Sequence, residues 1–166
     1  MKTKDLECLL MHGTETANTD DYESRFYKQQ EEVQKDTKTA HKNGVVYTPV
    51  SCVDFINQSI NSILQREFGV SMDSPDVEIL DPFAGTGLFL CRAIENGLID
   101  PENQTVRQIE LMPDSADIAR RNIEISLKKV GKHGYVETLC ADTFTLDPVS
   151  LKSGGAKCNA HGAVKT

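Results

Sequence analysis

The stretch VEILDPFAGTGLFL, residues 77–90, decides how the rest of the chain is read. A short apolar run, residues 77–80, ends at Asp81-Pro82-Phe83 and restarts through Gly85-Thr86-Gly87 into Leu88-Phe89-Leu90. A run of that length bounded by turn residues reads as a buried strand. The apolar residues after the turn, through Ile94, read as a helix that stops at Gly97. The same alternation follows downstream. TVRQIEL (residues 105–111) reads as a second strand. Pro113 opens a helix with Ala116, Ala119, Ile123, Leu127 and Val130 on one face, and Gly131 ends it. YVETLC (residues 135–140) is a third strand. Strand, helix, strand, helix, strand predicts an α/β fold with parallel pairing and right-handed crossovers. The expected order is 3-2-1, half of a doubly wound sheet.

Upstream, GVVYTP (residues 44–49) reads as a short extended segment. Thr48 is placed to cap the next helix and Pro49 to occupy its first position. Val53, Ile56, Ile60, Ile63 and Leu64 recur at helical spacing, and Gly69 is the stop. Residues 20–35, DDYESRFYKQQEEVQK, read as a polar helix with a thin apolar stripe of Tyr22, Phe26 and Val33. The tail from residue 151 has little apolar content and no period, and is expected to lack order. The organisation expected is a helical extension and linker over 1–43, a strand–helix unit over 44–150 and a tail over 151–166.

The chain of 166 residues fits one domain. No apolar run reaches the roughly 18 residues a membrane span needs, and the first residues do not read as a signal peptide. The five cysteines are scattered and lack a Cys-x-x-Cys pair, which predicts reduced thiols in a cytoplasmic protein rather than a disulfide or zinc framework. Cys91 and Cys140 read as small core residues, and no metal ligands are assigned. A net charge of −7 argues against a nucleic-acid grip spread over the whole surface. Any main DNA contact is expected outside this piece.

Ligands of open parallel sheets bind beyond the carboxyl ends of the strands. Three strand ends here carry acidic groups: Asp81, Glu110 and, in CADTF, Asp142. Gly85 and Gly87 permit close backbone approach, and the helix after them offers unpaired N–H groups. No lysine follows, so a P-loop is excluded. A nicotinamide fingerprint needs a third small residue where Leu90 stands, and Asp81 would repel a pyrophosphate. A zwitterion fits better: Asp81 toward an ammonium group and the turn's N–H groups toward a carboxylate. Glu110 lies 23 residues past Gly87, near the ~20 expected of a ribose-binding carboxylate. Asp142 suits an adenine amino group, and Phe83 or Phe144 suits the ring. Together these describe S-adenosylmethionine. Singly, Asp81 also reads as a turn cap, Glu110 as a solvated strand end, and both phenylalanines as core.

GVVYTP, ILDPFAGTG, IELMP and ADTF stand in the order found in amino-group (N6-adenine) DNA methyltransferases. The chain most resembles the methylase segment of single-chain restriction–modification enzymes that join a helicase-like motor to a methylase. The resemblance spans residues 22–146. It implies a Rossmann-like S-adenosylmethionine-dependent methyltransferase fold. It also implies that Tyr47, Thr48 and Pro49 fold over the cofactor's methionine end. Asp81, Phe83, Ala84, Gly85 and Gly87 would form the methionine-binding turn. Glu110 would hold the ribose, Leu111 and Met112 would flank the adenine, and Asp142 would accept from its amino group. The family's Asn/Asp-Pro-Pro-aromatic loop, which holds the flipped target base, does not occur here. Asp147-Pro148-Val149 lacks the second proline and the aromatic residue, so no catalytic residue is assigned. The resemblance thus covers a front half: a truncated product, a fragment or one part of a split enzyme, not active alone, with DNA reached through other regions and a possible partner chain completing the sheet. The rival readings are a non-catalytic interaction module and a fragment of an RNA or protein methylase.

Overall fold

A computed structural model of the chain describes residues 48–146, together with the helical, exposed positions Ser24 and Lys28. Apart from those two positions, the helix expected over 20–35 lies outside the described residues. So do the segment 44–47, with Tyr47, and the tail from 151. In chain order the elements are α1 (Val50–Phe68), β1 (Ile79–Asp81), α2 (Leu88–Glu95), β2 (Val106–Glu110), α3 (Pro113–Lys129) and β3 (Glu137–Cys140). The strands form one parallel sheet in the order β1-β2-β3, as the alternating sequence requires. β2 and β3 are each two residues shorter than the segments expected at 105–111 and 135–140, and β1 runs one residue past its apolar run to include Asp81. No helix among the described residues is long and apolar enough to cross a membrane.

The register places Ile79 beside Val106 and Glu110 beside Cys140. Alternation then divides each strand between two faces. Val106 joins the core made with Val50, Val53, Leu90, Cys91, Ala93, Ile94, Ile123 and Leu127. On the opposite face Arg107 stands beside Glu137 in register and donates to it at 2.9 Å, with Glu78 at 3.3 Å. On α3 the face expected from the sequence is the buried one: Ala116, Ala119, Ile123 and Leu127. The alanines let α3 lie close to the sheet, and Gly131, at φ +70°, follows its end.

α1 departs from its expected face. Its buried residues are Val50, Val53 and Asn57, with Leu64 half-buried against the core. Ile56, Ile60 and Ile63 are 39%, 41% and 46% exposed. Polar anchors rotate the helix. Asp54 accepts two bonds from the buried Arg92, at 2.8 and 2.7 Å, and Asn57 donates to the Phe89 carbonyl at 3.0 Å. The start also differs. Pro49 sits at the N-cap and its carbonyl accepts from Cys52 and Val53, while no side chain caps the helix, so Thr48 does not play that part. At the far end Gly69 takes φ +69°, as the sequence indicated.

The segment between α3 and β3 crosses the loop after α2 in close contact. A Cβ on Gly134 would lie 2.4 Å from the Pro101 carbonyl carbon and 2.6 Å from the Glu102 nitrogen. Backbone cannot yield as a flexible side chain does. Gly134→Ala is therefore expected to destabilise the fold by about 1–3 kcal/mol, read as a lowered midpoint in thermal or chemical denaturation.

Candidate functional site

The three acidic strand ends lie along one edge of the sheet, because parallel pairing puts the carboxyl ends of β1, β2 and β3 side by side. Backbone bonds stitch this edge: Ala84 N–H donates to the Ile109 carbonyl at 2.9 Å and Ala141 N–H to the Glu110 carbonyl at 3.0 Å. The turn after β1 also reaches past β2 to the turn after β3. Thr143 Oγ1 donates to the Pro82 carbonyl at 2.5 Å, and the Phe83 and Phe144 rings sit 5.6 Å apart, tilted by 43°. Both rings are exposed, Phe83 by 63% and Phe144 by 86%, which rules out the core reading for each. Their spacing leaves no room for another ring between them, so a stacked base would have to use an outer face of the pair.

Asp81 forms a local turn, its Oδ1 accepting from Phe83 N–H at 3.1 Å. Its Oδ2 is buried with no hydrogen-bond partner among the described residues. Burial, and secondarily the nearby Glu110 charge, push its carboxyl above the usual range, against the lowering effect of the Phe83 N–H. A buried acceptor without a donor costs stability. Because the folded protein holds this proton more tightly than the unfolded chain, the cost is absent below the ordinary carboxyl value of 3.8. It grows as pH rises through the raised folded value and is complete above it. Asp81→Asn keeps an acceptor for Phe83 and loses the charge. It is expected to be more stable than the parent at neutral pH, by an advantage that shrinks toward pH 4, as urea denaturation across pH would show.

Glu110 is tied on both oxygens: Gly85 N–H donates to Oε2 and Met112 N–H to Oε1, each at 2.8 Å. The carboxylate thus braces the glycine turn from the neighbouring strand. Gly85 and Gly87 take φ +56° and +82°. A Cβ on Gly87 would meet Ala119 and the Gln108 side chain at 3.3 Å, so this glycine lets the turn sit down on α3 and the sheet. Beyond it, α2 begins without a side-chain cap, which leaves its first N–H groups available to an anion. Ala84 is buried, Leu111 exposed and Met112 half-buried beside Glu110. Asp142 Oδ1 accepts from Phe144 N–H at 3.0 Å, leaving Asp142 exposed at the end of the row.

The structure therefore brings together Asp81, Phe83, Ala84, Gly85, Gly87, Glu110, Met112, Asp142 and Phe144. No described hydrogen bond or ring contact joins Thr48 or Pro49 to them, and Tyr47 is outside the described residues. Sequence reasoning missed two supports. Buried Asn122, on α3, donates to the Thr86 carbonyl at 2.9 Å and pins the glycine turn. Buried Gln108 donates to Thr138 Oγ1 at 2.8 Å, while its Oε1 lies buried without a partner beneath Gly87. The only sequence signal for either was a polar residue at an inward position.

No protein-family model matches the chain, and no curated protein matches it. Solved structures do. A DrdV–DNA complex, determined by electron cryomicroscopy, aligns with 63% of this chain at 28% identity and a TM-score of 0.55. A nuclease-deletion mutant of the Type ISP restriction–modification enzyme LlaGI, with a DNA substrate mimic, aligns with 60% at 33% identity and a TM-score of 0.51. The ATP-dependent Type ISP restriction–modification enzyme LlaBIII bound to DNA aligns with 63% at 33% identity and a TM-score of 0.50. The matched regions span 11%, 10% and 8% of those chains. The chain is thus similar to a small segment of restriction–modification enzymes.

Proposed function

We propose that the row of strand ends binds S-adenosylmethionine, and that the chain is the cofactor-binding part of an N6-adenine DNA methyltransferase within a restriction–modification enzyme. The observation that carries this reading is the union of three acidic strand ends, on consecutive parallel strands, with a glycine turn braced by the middle one. The donor set suits the cofactor's chemistry. Asp81 Oδ2 is a buried acceptor lacking a donor, which an ammonium group supplies. The uncapped start of α2 suits a carboxylate. Glu110 retains lone pairs for ribose hydroxyls after receiving its two backbone bonds. Asp142 is exposed for an adenine amino group, with the Phe83–Phe144 pair beside it. When bound, the cofactor supplies an electrophilic methyl group on its sulfonium.

The role of these residues is to hold and orient, which is where much of the rate of such a transfer resides. DNA as substrate is supported by the DNA-bound state of the similar structures. This sequence has no Asn/Asp-Pro-Pro-aromatic loop to hold a flipped adenine, so transfer to DNA is assigned to the assembled enzyme rather than to these residues alone. Calorimetric titration of the chain with S-adenosylmethionine, S-adenosylhomocysteine and ATP tests the reading. Saturable binding of the first two and none of ATP is expected. Absence of binding at millimolar S-adenosylmethionine, or equal binding of ATP, would refute it.

A further inference from the structure

Asp81, Gln108 and Thr138 stand in one row across the sheet. The register pairs Asp81 with Gln108 and Gln108 with Thr138. Side chains of one row turn to the same face. Gln108 and Thr138 are both buried, Gln108 completely. The Gln108 amide is held in one sense: Nε2 donates to Thr138 Oγ1 at 2.8 Å, on the β3 side. Oε1 is thereby turned the other way, where it lies 3.3 Å from the position of a Cβ on Gly87. That oxygen and Asp81 Oδ2 are both buried without a hydrogen-bond partner among the described residues. Two acceptors on adjacent strands thus share a face and lack a donor.

A protonated carboxyl is itself a donor, so one proton satisfies both oxygens. We propose that Gln108 is the positioning residue for Asp81, and that a proton shared between Asp81 Oδ2 and Gln108 Oε1 competes with a ligand's ammonium group. As the ammonium group enters, Asp81 ionises and the proton leaves to solvent. The surroundings favour the proton in the ligand-free chain. Burial and the Glu110 charge both raise the Asp81 carboxyl, and Glu110 follows Gln108 on the same face of β2. The residues that α3 buries are uncharged. On the packed helices Arg92 is paired with Asp54, Lys129 with Glu95, and Arg120 with Asp117 while it reaches the Thr138 carbonyl at 3.4 Å. Asp142 lies at the exposed end of the row of turns. Coupling to the cofactor rests on the S-adenosylmethionine reading, whereas the shared proton does not.

The ¹³C resonance of the Asp81 carboxyl, followed against pH in the ligand-free chain, tests the shared proton. The parent is expected to titrate above the ordinary 3.8. Gln108→Met keeps a straight side chain and removes the acceptor, so the midpoint is expected to move to lower pH. A more apolar neighbour without that loss would raise it, so the direction separates positioning from packing. Thr138→Val, which only frees Nε2, is expected to act the same way by less. Calorimetric titration with S-adenosylhomocysteine reads the competition. Affinity is expected to fall about tenfold per pH unit below the Asp81 midpoint, and the fall is expected to begin at lower pH in Gln108→Met. An Asp81 midpoint at the ordinary value, or one that neither variant lowers, would overturn the shared proton. Binding that ignores pH through the midpoint would overturn the competition. Absence of binding at every pH, with Asp81 titrating as expected, would refute the cofactor reading and leave the shared proton standing.

Discussion

Glu110→Ala is expected to weaken S-adenosylmethionine binding about 100-fold and to destabilise the fold at the same time. The double effect follows from the double duty of this side chain. Its oxygens accept from Gly85 and Met112 N–H groups, both at 2.8 Å, so alanine leaves two backbone donors without their carboxylate partner. Hydrogen bonds to a charged group contribute about 1.5–3 kcal/mol each, and partial exposure places this pair near the lower end, for a loss of about 2–4 kcal/mol. Gly85 then loses the bond that fixes its left-handed conformation, and the turn proposed to meet the ligand loosens. On the proposed reading alanine also removes the ribose acceptor, and ~3 kcal/mol of lost binding corresponds to about 100-fold in affinity. Glu110→Gln retains one acceptor oxygen and turns a donor toward the other amide, so roughly half of each loss is expected. Urea denaturation and calorimetric titration of the same three proteins measure both effects. If alanine removed binding with no loss of stability, the bracing role would be wrong. If stability fell while affinity held, the ligand role would be wrong.

The largest expected effect on stability alone lies between α1 and α2. Arg92 is 1% exposed, and its guanidinium makes a two-pronged contact with Asp54, which also accepts from Asn96 at 3.1 Å. Asp54→Ala strips the carboxylate from a buried cation. Breaking such a pair on one side costs about 3–5 kcal/mol, because the remaining charge stays out of water. That is a large share of the 5–15 kcal/mol typical of a domain. Adding Arg92→Met removes the buried charge and refills much of its volume. The double variant is therefore expected to recover a large part of the loss. Denaturation midpoints at unchanged slope would report both outcomes. A double variant no more stable than Asp54→Ala would show that the cost comes from α1 packing rather than the buried charge.

Much of the fold was legible because its signals are local. Gly69, Gly97 and Gly131 stand just past helix ends with positive φ, and Pro113 opens α3, each for a reason contained in one residue. Strand order followed from the alternation of elements, and the acidic ends of β1 and β2 could be placed once the strands were. Legibility failed where long-range polar contacts decide. The face of α1 was misread because Asp54 and Asn57 are anchored by groups more than thirty positions away, and apolar periodicity carries no trace of Arg92 or the Phe89 carbonyl. Thr48 was misread because Pro49 already provides the carbonyl that starts the helix. Phe83 and Phe144 had open assignments in the sequence. Their pairing depends on two turns meeting across an intervening strand, 61 positions apart at the Thr143–Pro82 bond. Asn122 and Gln108 were invisible as supports for the same reason.

The most direct test of the convergent strand ends is a nuclear magnetic resonance titration of the ¹⁵N-labelled chain with S-adenosylhomocysteine. The amides of Asp81, Gly85, Gly87, Glu110, Met112 and Asp142 are expected to shift together along one saturation curve, while those of the α3–β3 outer edge stay in place. Shifts that avoid these six residues, or that titrate separately for the three strand ends, would contradict a single binding cleft.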